Sequence, residues 1–158
     1  MTRPPTEDSI RQAVTVPVPV EQAFAAFTDL ARWWPQEYTW SADTLEAIGI
    51  EPREGRHCFE RGPHGFTCHW GRVLVWDPPG RLVLAWQIAP DRAPEPNPSK
   101  ASEVEVRFHP TDPSGTRVEV EHRAFSRHGD GGQAYRQGLT SPAGWPLMLD
   151  RYAAAVPP

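Results

Sequence analysis

Lysine is almost missing from this sequence: Lys100 stands alone against fifteen arginines in 158 residues. The net charge is −4, so the chain offers no basic face for a phosphate backbone, and nucleic acid is excluded as a partner. Only two cysteines occur, too few for a disulfide framework, and a chain of 158 residues can bury a core without staples. No apolar run approaches the roughly 20 residues of a spanning helix, which excludes a membrane-embedded protein. The opening "MTRPPTEDSI" lacks the apolar stretch of a secretory signal, and a cytoplasmic location is the expectation. Also missing are a glycine-rich phosphate loop, an HExxH helix and a nucleophile elbow, so no established catalytic motif announces a reaction.

What the sequence does have is tryptophan, seven in all, with Trp33, Trp34 and Trp40 crowded into "WWPQEYTW". Hydrophobic residues make up 39% and charged residues 23%, the balance of a globular domain. Two periodicities organise it. Residues 10–18, "IRQAVTVPV", alternate as a strand. After Pro19, Val20, Ala23, Phe24 and Phe27 form the stripe of a short amphipathic helix, and "RWWP" reads as a second helical turn stopped by Pro35. Strands are then expected over 44–50, 56–61, 66–76, 81–88, 102–109 and 115–123, separated by turns such as "DPPG" and "TDPSG". Residues 89–100, "APDRAPEPNPSK", are too rich in proline to pair and read as a mobile loop. At the C-terminus Trp145, Met148, Leu149, Tyr152 and Val156 recur at helical spacing, predicting a helix over about 142–156 that starts at Ser141-Pro142. The chain therefore reads as one α+β domain over 1–158, with 1–9 as a flexible N-terminus.

Strand pairing refines this expectation. A tight "DPPG" turn pairs Val75 with Leu82, Val73 with Leu84 and Gly71 with Trp86, with Val73 and Val75 on the inner face. Val104, Val106, Phe108, Val118, Val120 and His122 point inward, while Glu103, Glu105, Arg107, Glu119, Glu121 and Arg123 point outward. His122 is thus the one ionisable group on an apolar row, opposite Val104 and near Trp86.

The run "FTDLARWWP", the segment "IEPREGRHCFERG", the block "WGRVLVWDPPGRLVLAW", the strand "VEVEHRAF" and the terminal "GWPLMLDRYAAAV" together resemble the activator of heat-shock-protein-90 ATPase homologue-like family. That family lies within the START-like, or SRPBCC, superfamily, and the likeness runs over roughly residues 10 to 156. The resemblance implies a helix-grip fold: a seven-stranded antiparallel sheet curved around a long C-terminal helix, two short helices after the first strand, and a cavity that often holds a small apolar molecule. It does not imply one activity, because members include chaperone-activating domains, polyketide cyclase-like proteins and proteins that sequester toxic metabolites.

The candidate lining of that cavity is Trp34, Trp86, Val104, His122, Trp145, Met148 and Tyr152, together with Phe59 and His69. Each of these reads equally well as core when taken alone; their joint character, aromatic rings with polar handles around one histidine, is what suits a ligand. Trp33 and Trp40 read as packing that plugs the connector. The cluster "HCFERGPHGFTCH" looks superficially like a Cys2His2 metal site. A hairpin centred on Pro63, however, sets Cys58 against Cys68 on one face and His57 against His69 on the other. His122, about 14 Å from His69 across three strand spacings, does not complete a site. No metal and no cofactor is expected, and the cysteines are expected as free thiols. Three functions stay open. The first is binding of a small apolar or aromatic molecule for carriage, sequestration or sensing. The second is a cyclase- or dehydratase-like reaction using His122 as acid or base, and the third is an interaction module that contacts a chaperone. The expected oligomeric state is monomer or weak homodimer.

Overall fold

The computed structural model describes residues 8–156. Residues 1–7 of the expected N-terminal tail lie outside the described residues, while Ser9 already opens the first strand. Seven strands follow: β1 Ser9–Val16, β2 Ala47–Ile50, β3 His57–Arg61, β4 Thr67–Asp77, β5 Arg81–Trp86, β6 Ser102–Thr111 and β7 Gly115–Arg123. All pair antiparallel in the order β1-β7-β6-β5-β4-β3-β2. Between β1 and β2 come helix α1, Val20–Thr28, and 3-10 turns at Leu30–Arg32, Gln36–Tyr38 and Ala42–Thr44. Two C-terminal helices, α2 Gly132–Thr140 and α3 Trp145–Ala154, form one bent arm across the concave side. This is an α+β helix-grip fold.

Alternation dictates the inner face of β6 and β7. Val104, Val106, Phe108, Val118, Val120 and His122 are all at most 4% exposed, and Val104 pairs with His122. α3 covers them with Trp145, Met148, Leu149 and Tyr152, and α1 closes the other end with Ala23, Phe24 and Phe27. The Tyr152 hydroxyl, taken out of water by this packing, donates to Ala23 O at 2.8 Å. On the outer face the charged row becomes an ionic grid. Arg107 reaches Glu105, Glu119 and Glu121, and Arg123 reaches Glu103 and Glu105. Burial pushes the Glu105 carboxyl up, but hydrogen bonds from Arg123 and Arg81 and the charge of Arg107 outweigh it and hold the group at about 2.

Both hairpin registers depart from the simple turn expectation. The β4–β5 loop holds three residues, Pro78 to Gly80, so Asp77 pairs with Arg81. A bulge at Leu74 then restores the expected pairs Val73–Leu84 and Gly71–Trp86. Between the loop and the bulge the faces swap: Val75 pairs with Val83 on the outer side, and Trp76 turns inward to meet Phe24 at 5.1 Å. In the β3–β4 hairpin a 3-10 turn at Pro63–Gly65 lengthens the connection, so Cys68 opposes Glu60 rather than Cys58, and His69 opposes Phe59 rather than His57. The face assignment of the four candidate metal ligands survives this slip, because a shift of two residues keeps parity. The His57 and His69 rings stack at 4.2 Å outside, while Cys58 and Cys68 are free, buried thiols inside. Among the described residues, no group of three or more His, Cys, Asp or Glu could hold a metal ion.

Residues 89–100 do pair, contrary to expectation. Ala89 N–H donates to Ala93 O at 2.8 Å, Glu95 N–H donates to Gln87 O at 2.9 Å, and Ile88 bridges Pro94. The prolines do not block this because the donors come from Ala89 and Glu95, leaving Pro90, Pro94 and Pro96 where no N–H is needed. The C-terminal helix starts at Trp145, later than predicted. Gly144 precedes it, where a Cβ would collide with the Leu139 carbonyl, and Pro146 sits in the first turn, where its missing N–H is harmless. No helix among the described residues is long and apolar enough to cross a membrane.

Candidate ligand cavity

A cavity of about 740 Å³ opens between the 34–40 connector, the chain after β5, and the bent arm of α2 and α3. Five aromatic side chains line it: Trp34, Tyr38, Trp40, Trp86 and Tyr135. Backbone geometry and specific contacts place three of them. The first turn after α1 turns Trp33 into the core, where its indole N–H donates to Phe27 O at 3.0 Å, and leaves the neighbouring Trp34 half-buried on the cavity side. Glu60, a buried carboxylate on β3, accepts the backbone N–H groups of Trp40 and Ser41 at 3.2 and 2.7 Å and so anchors the far end of the connector. Trp86 pairs with Gly71, where a Cβ would lie 2.9 Å from the Ala85 carbonyl and 3.1 Å from Cys58, so the close packing at this point of the sheet requires glycine.

Hydrogen bonds cross the cavity between segments distant in sequence. Tyr38 donates to Ala143 O at 2.7 Å, and Trp40 Nε1 donates to Arg92 O at 2.9 Å. Deeper in, Trp86 Nε1 donates to the Tyr135 hydroxyl at 2.7 Å. Burial raises the Tyr135 phenol to about 12, against the lowering effects of the Trp86 bond and the nearby Arg92 charge. It is a protonated donor at neutral pH. Arg92 sits at the mouth with a left-handed backbone, φ 73°, and its guanidinium lies 5.3 Å from the centre of the Tyr38 ring.

Behind Trp86 lies a second polar array. Trp145 Nε1 donates to His122 Nδ1 at 3.0 Å, and Ser102 Oγ lies 2.7 Å from His122 Nε2 and 2.8 Å from His128 Nε2. An indole can only donate, so His122 Nδ1 must accept. His122 Nε2 therefore carries the proton and donates to Ser102, whose own hydroxyl is left to donate to His128. Burial holds His122 well below the usual histidine range, reinforced by His128, and burial likewise lowers His128.

The predicted lining residues divide accordingly. Trp34, Trp86 and Met148 face the cavity. Val104, His122, Trp145 and Tyr152 are each at most 2% exposed and form the core behind it, outside the lining. His122 is thus separated from the cavity, since Trp86 and Trp145 stand at 5.1 and 6.0 Å from its ring. Phe59 and His69 are corrected to the opposite face of the sheet, where the parity of β3 and β4 places them: Phe59 packs over Gly49 and under Arg61, and His69 stacks on His57. Trp40, read as a plug, is instead part of the lining. Tyr135 was not legible, because "GQAYRQGLT" carries two glycines and only Tyr135 and Leu139 at helical spacing.

Comparison with known proteins agrees with this fold. An anthrahydroquino-gamma-pyrone synthase, Txn09, is 34% identical, with 96% of this chain and 99% of that chain covered and a TM-score of 0.66. CalC, a self-sacrificing resistance protein from Micromonospora echinospora, is 26% identical over 95% of this chain and 94% of that one, with a TM-score of 0.65. Protein NE0264 from Nitrosomonas europaea is 20% identical, covers 98% and 97%, and at a TM-score of 0.68 shares the fold. No curated protein sequence matches the chain. Residues 17–156 match the family described as Activator of Hsp90 ATPase homolog 1-like protein, and on that match the chain belongs to this family within the START-like superfamily.

Proposed function

We propose that this protein binds a planar aromatic molecule of polyketide type in the cavity between sheet and C-terminal arm. The observation that carries the reading is the lining itself, in which five aromatic rings surround about 740 Å³. That volume falls in the range of about 300–1,000 Å³ in which small-molecule sites bury their ligands. Stacked rings reward a flat apolar ligand and tolerate variation in its edge. Four of these rings also carry hydrogen bonds that hold them in place, through Tyr38, Trp40, Trp86 and Tyr135, so little rotamer freedom is lost on binding.

Ring closure on the bound molecule is a second reading, favoured by the 34% identity to a pyrone synthase along almost the whole chain. A cavity that holds a flexible precursor folded, with reacting atoms in contact, accelerates an intramolecular step by removing its entropic barrier. The acid–base role once open to His122 has no contact with the cavity, so this reading rests on shape and on Tyr135.

Calorimetric titration with a panel of two- to four-ring aromatics tests the binding. Trp40→Ala, which removes a rim ring without emptying the core, should weaken the tightest ligand by about tenfold with an unchanged circular dichroism spectrum. Absence of binding across the panel, or full affinity in both Trp40→Ala and Trp34→Ala, rejects the proposal. Recovery of the ligand unchanged in mass marks a carrier, and a cyclised product marks the second reading.

A further inference from the structure

Five side-chain donors of the lining are committed within the protein. Tyr38 donates to Ala143, Trp40 to Arg92, Trp86 to Tyr135, Thr39 to Gln36 and Ser141 to Gly138. Among the described residues, three side-chain donors on the lining have no protein acceptor: the Tyr135 hydroxyl, the Trp34 indole N–H and the Arg92 guanidinium. The acidic groups at the mouth are already engaged, Glu37 by Arg151 at 2.8 Å and Asp91 by the Ala93 N–H at 3.0 Å. Tyr135 is the most constrained of the three donors. Its oxygen accepts from Trp86, which occupies one lone pair and leaves the hydroxyl hydrogen to be donated away from that indole. That hydrogen faces a cavity open to solvent and is available to a ligand oxygen in exchange for water.

We infer that the cavity selects its ring system by oxygen acceptors: a carbonyl or ionised phenol oxygen of the ligand accepts from Tyr135, oriented by Trp86, while an acidic substituent at the mouth pairs with Arg92. The ligand class is an oxygenated, acidic, planar aromatic, such as a carboxylated quinone. This inference rests on the binding role proposed above and specifies which aromatics satisfy it. Arg92 is the one cationic side chain on the lining, and the indole N–H of Trp40, bonded to its carbonyl, fixes the backbone from which it projects. No ion pair among the described residues engages it, so its guanidinium is available to an acidic group of the ligand.

Three probes of one shape separate the contributions: anthraquinone-2-carboxylate, anthracene-2-carboxylate without the ring carbonyls, and anthraquinone without the carboxylate. The intact protein should bind the first about tenfold more tightly than either of the others. Tyr135→Phe should abolish the preference for the quinone over anthracene-2-carboxylate, with both probes measured on the same variant. Arg92→Gln should abolish the preference for the carboxylate and keep that for the quinone. Preferences that survive in the two variants, or a wild-type protein that binds all three alike, overturn the inference while leaving the cavity a binding site. If none of the three binds, the inference falls, and the wider aromatic panel decides whether the binding role falls with it.

Discussion

Replacing Ser102 with alanine removes one oxygen atom from the middle of a directed chain, and the structure fixes what that costs. Ser102 is 0% exposed and bridges the Nε2 atoms of His122 and His128 at 2.7 and 2.8 Å. Without the hydroxyl, the His122 Nε2–H has no acceptor. The ring cannot escape by changing tautomer, because Nδ1 would then present a hydrogen to the Trp145 N–H that already points at it. A buried donor left without a partner costs about 1–3 kcal/mol, whereas His128, half-buried, recovers its bond from water. The expected loss is about 2 kcal/mol, or about 4–8 °C in Tm for a domain of this size. Urea unfolding should show a lower midpoint at constant m.

His122 supplies an internal control. In a His122→Leu background, Ser102→Ala removes only the bond to His128, and its cost should shrink to below about 1 kcal/mol. The coupling between the two substitutions should then be about 1–2 kcal/mol. Additive effects, or a Ser102→Ala variant within about 1 °C of the parent, would refute the directed chain. So would an imidazole nitrogen spectrum that places the His122 proton on Nδ1.

Acidification should destabilise the protein from about pH 6.5 downward, before the carboxylates titrate. Both His122 and His128 are held below their unfolded value, so the unfolded chain binds more protons and stability rises with pH in this window, by up to about 1.4 kcal/mol per pH unit for each. Glu105, held at about 2, contributes stability that is lost only in the lower window, as pH falls from its unfolded value toward 2, so an acid limb confined to that window would contradict the histidine assignment. Among the hydrogen-bonded indoles, hydrogen exchange by NMR should be fastest at Trp40, whose bond to Arg92 is exposed, slower at Trp86, whose bond to Tyr135 is part-buried, and slowest at Trp33 and Trp145, whose bonds are buried. Protection of Trp40 equal to that of Trp145 would contradict this order.

The inner row Val104 to Phe108 and Val118 to His122 could be read from sequence because alternation over long strands leaves a single face assignment, and the "TDPSG" turn then puts His122 opposite Val104. Turn length and bulges could not be read in this way. Leu74, which re-aims Val75 and Trp76, is an ordinary strand residue in sequence and bulges only because a three-residue loop must be reconciled with the Gly71–Trp86 pair. The cavity was legible in its tryptophans and not in its polar contacts. Trp34 and Trp86 carry large apolar surface that periodicity can place. Tyr135 lies on a glycine-containing helix whose pattern is too weak to read, and Trp40 is placed by a buried carboxylate twenty residues away in the chain, Glu60. Interactions of that kind have no local signature.

The crowding of tryptophan in "WWPQEYTW" follows from how this connector closes the cavity. A regular helix would put Trp40 on the face of Trp33 rather than that of Trp34, and a strand would set Trp34 and Trp40 on one face but about 20 Å apart. Short 3-10 turns broken by Pro35 instead let one chain fold Trp33 inward and lay Trp34 and Trp40 along the lining. The inner anchor is strong: Glu60 holds two backbone N–H groups with a buried carboxylate, and such charge-assisted bonds contribute about 1.5–3 kcal/mol each. The outer anchors are the exposed bonds from Tyr38 to Ala143 and from Trp40 to Arg92, each worth a net of about 0.5–1.5 kcal/mol, beside the solvent-exposed Glu37–Arg151 ion pair, which adds little. Parting both costs about 1–3 kcal/mol, well under the roughly 5–15 kcal/mol that unfolds a domain. The mouth can therefore open locally while Trp86, Tyr135 and the Glu60 anchor keep the floor of the site in place.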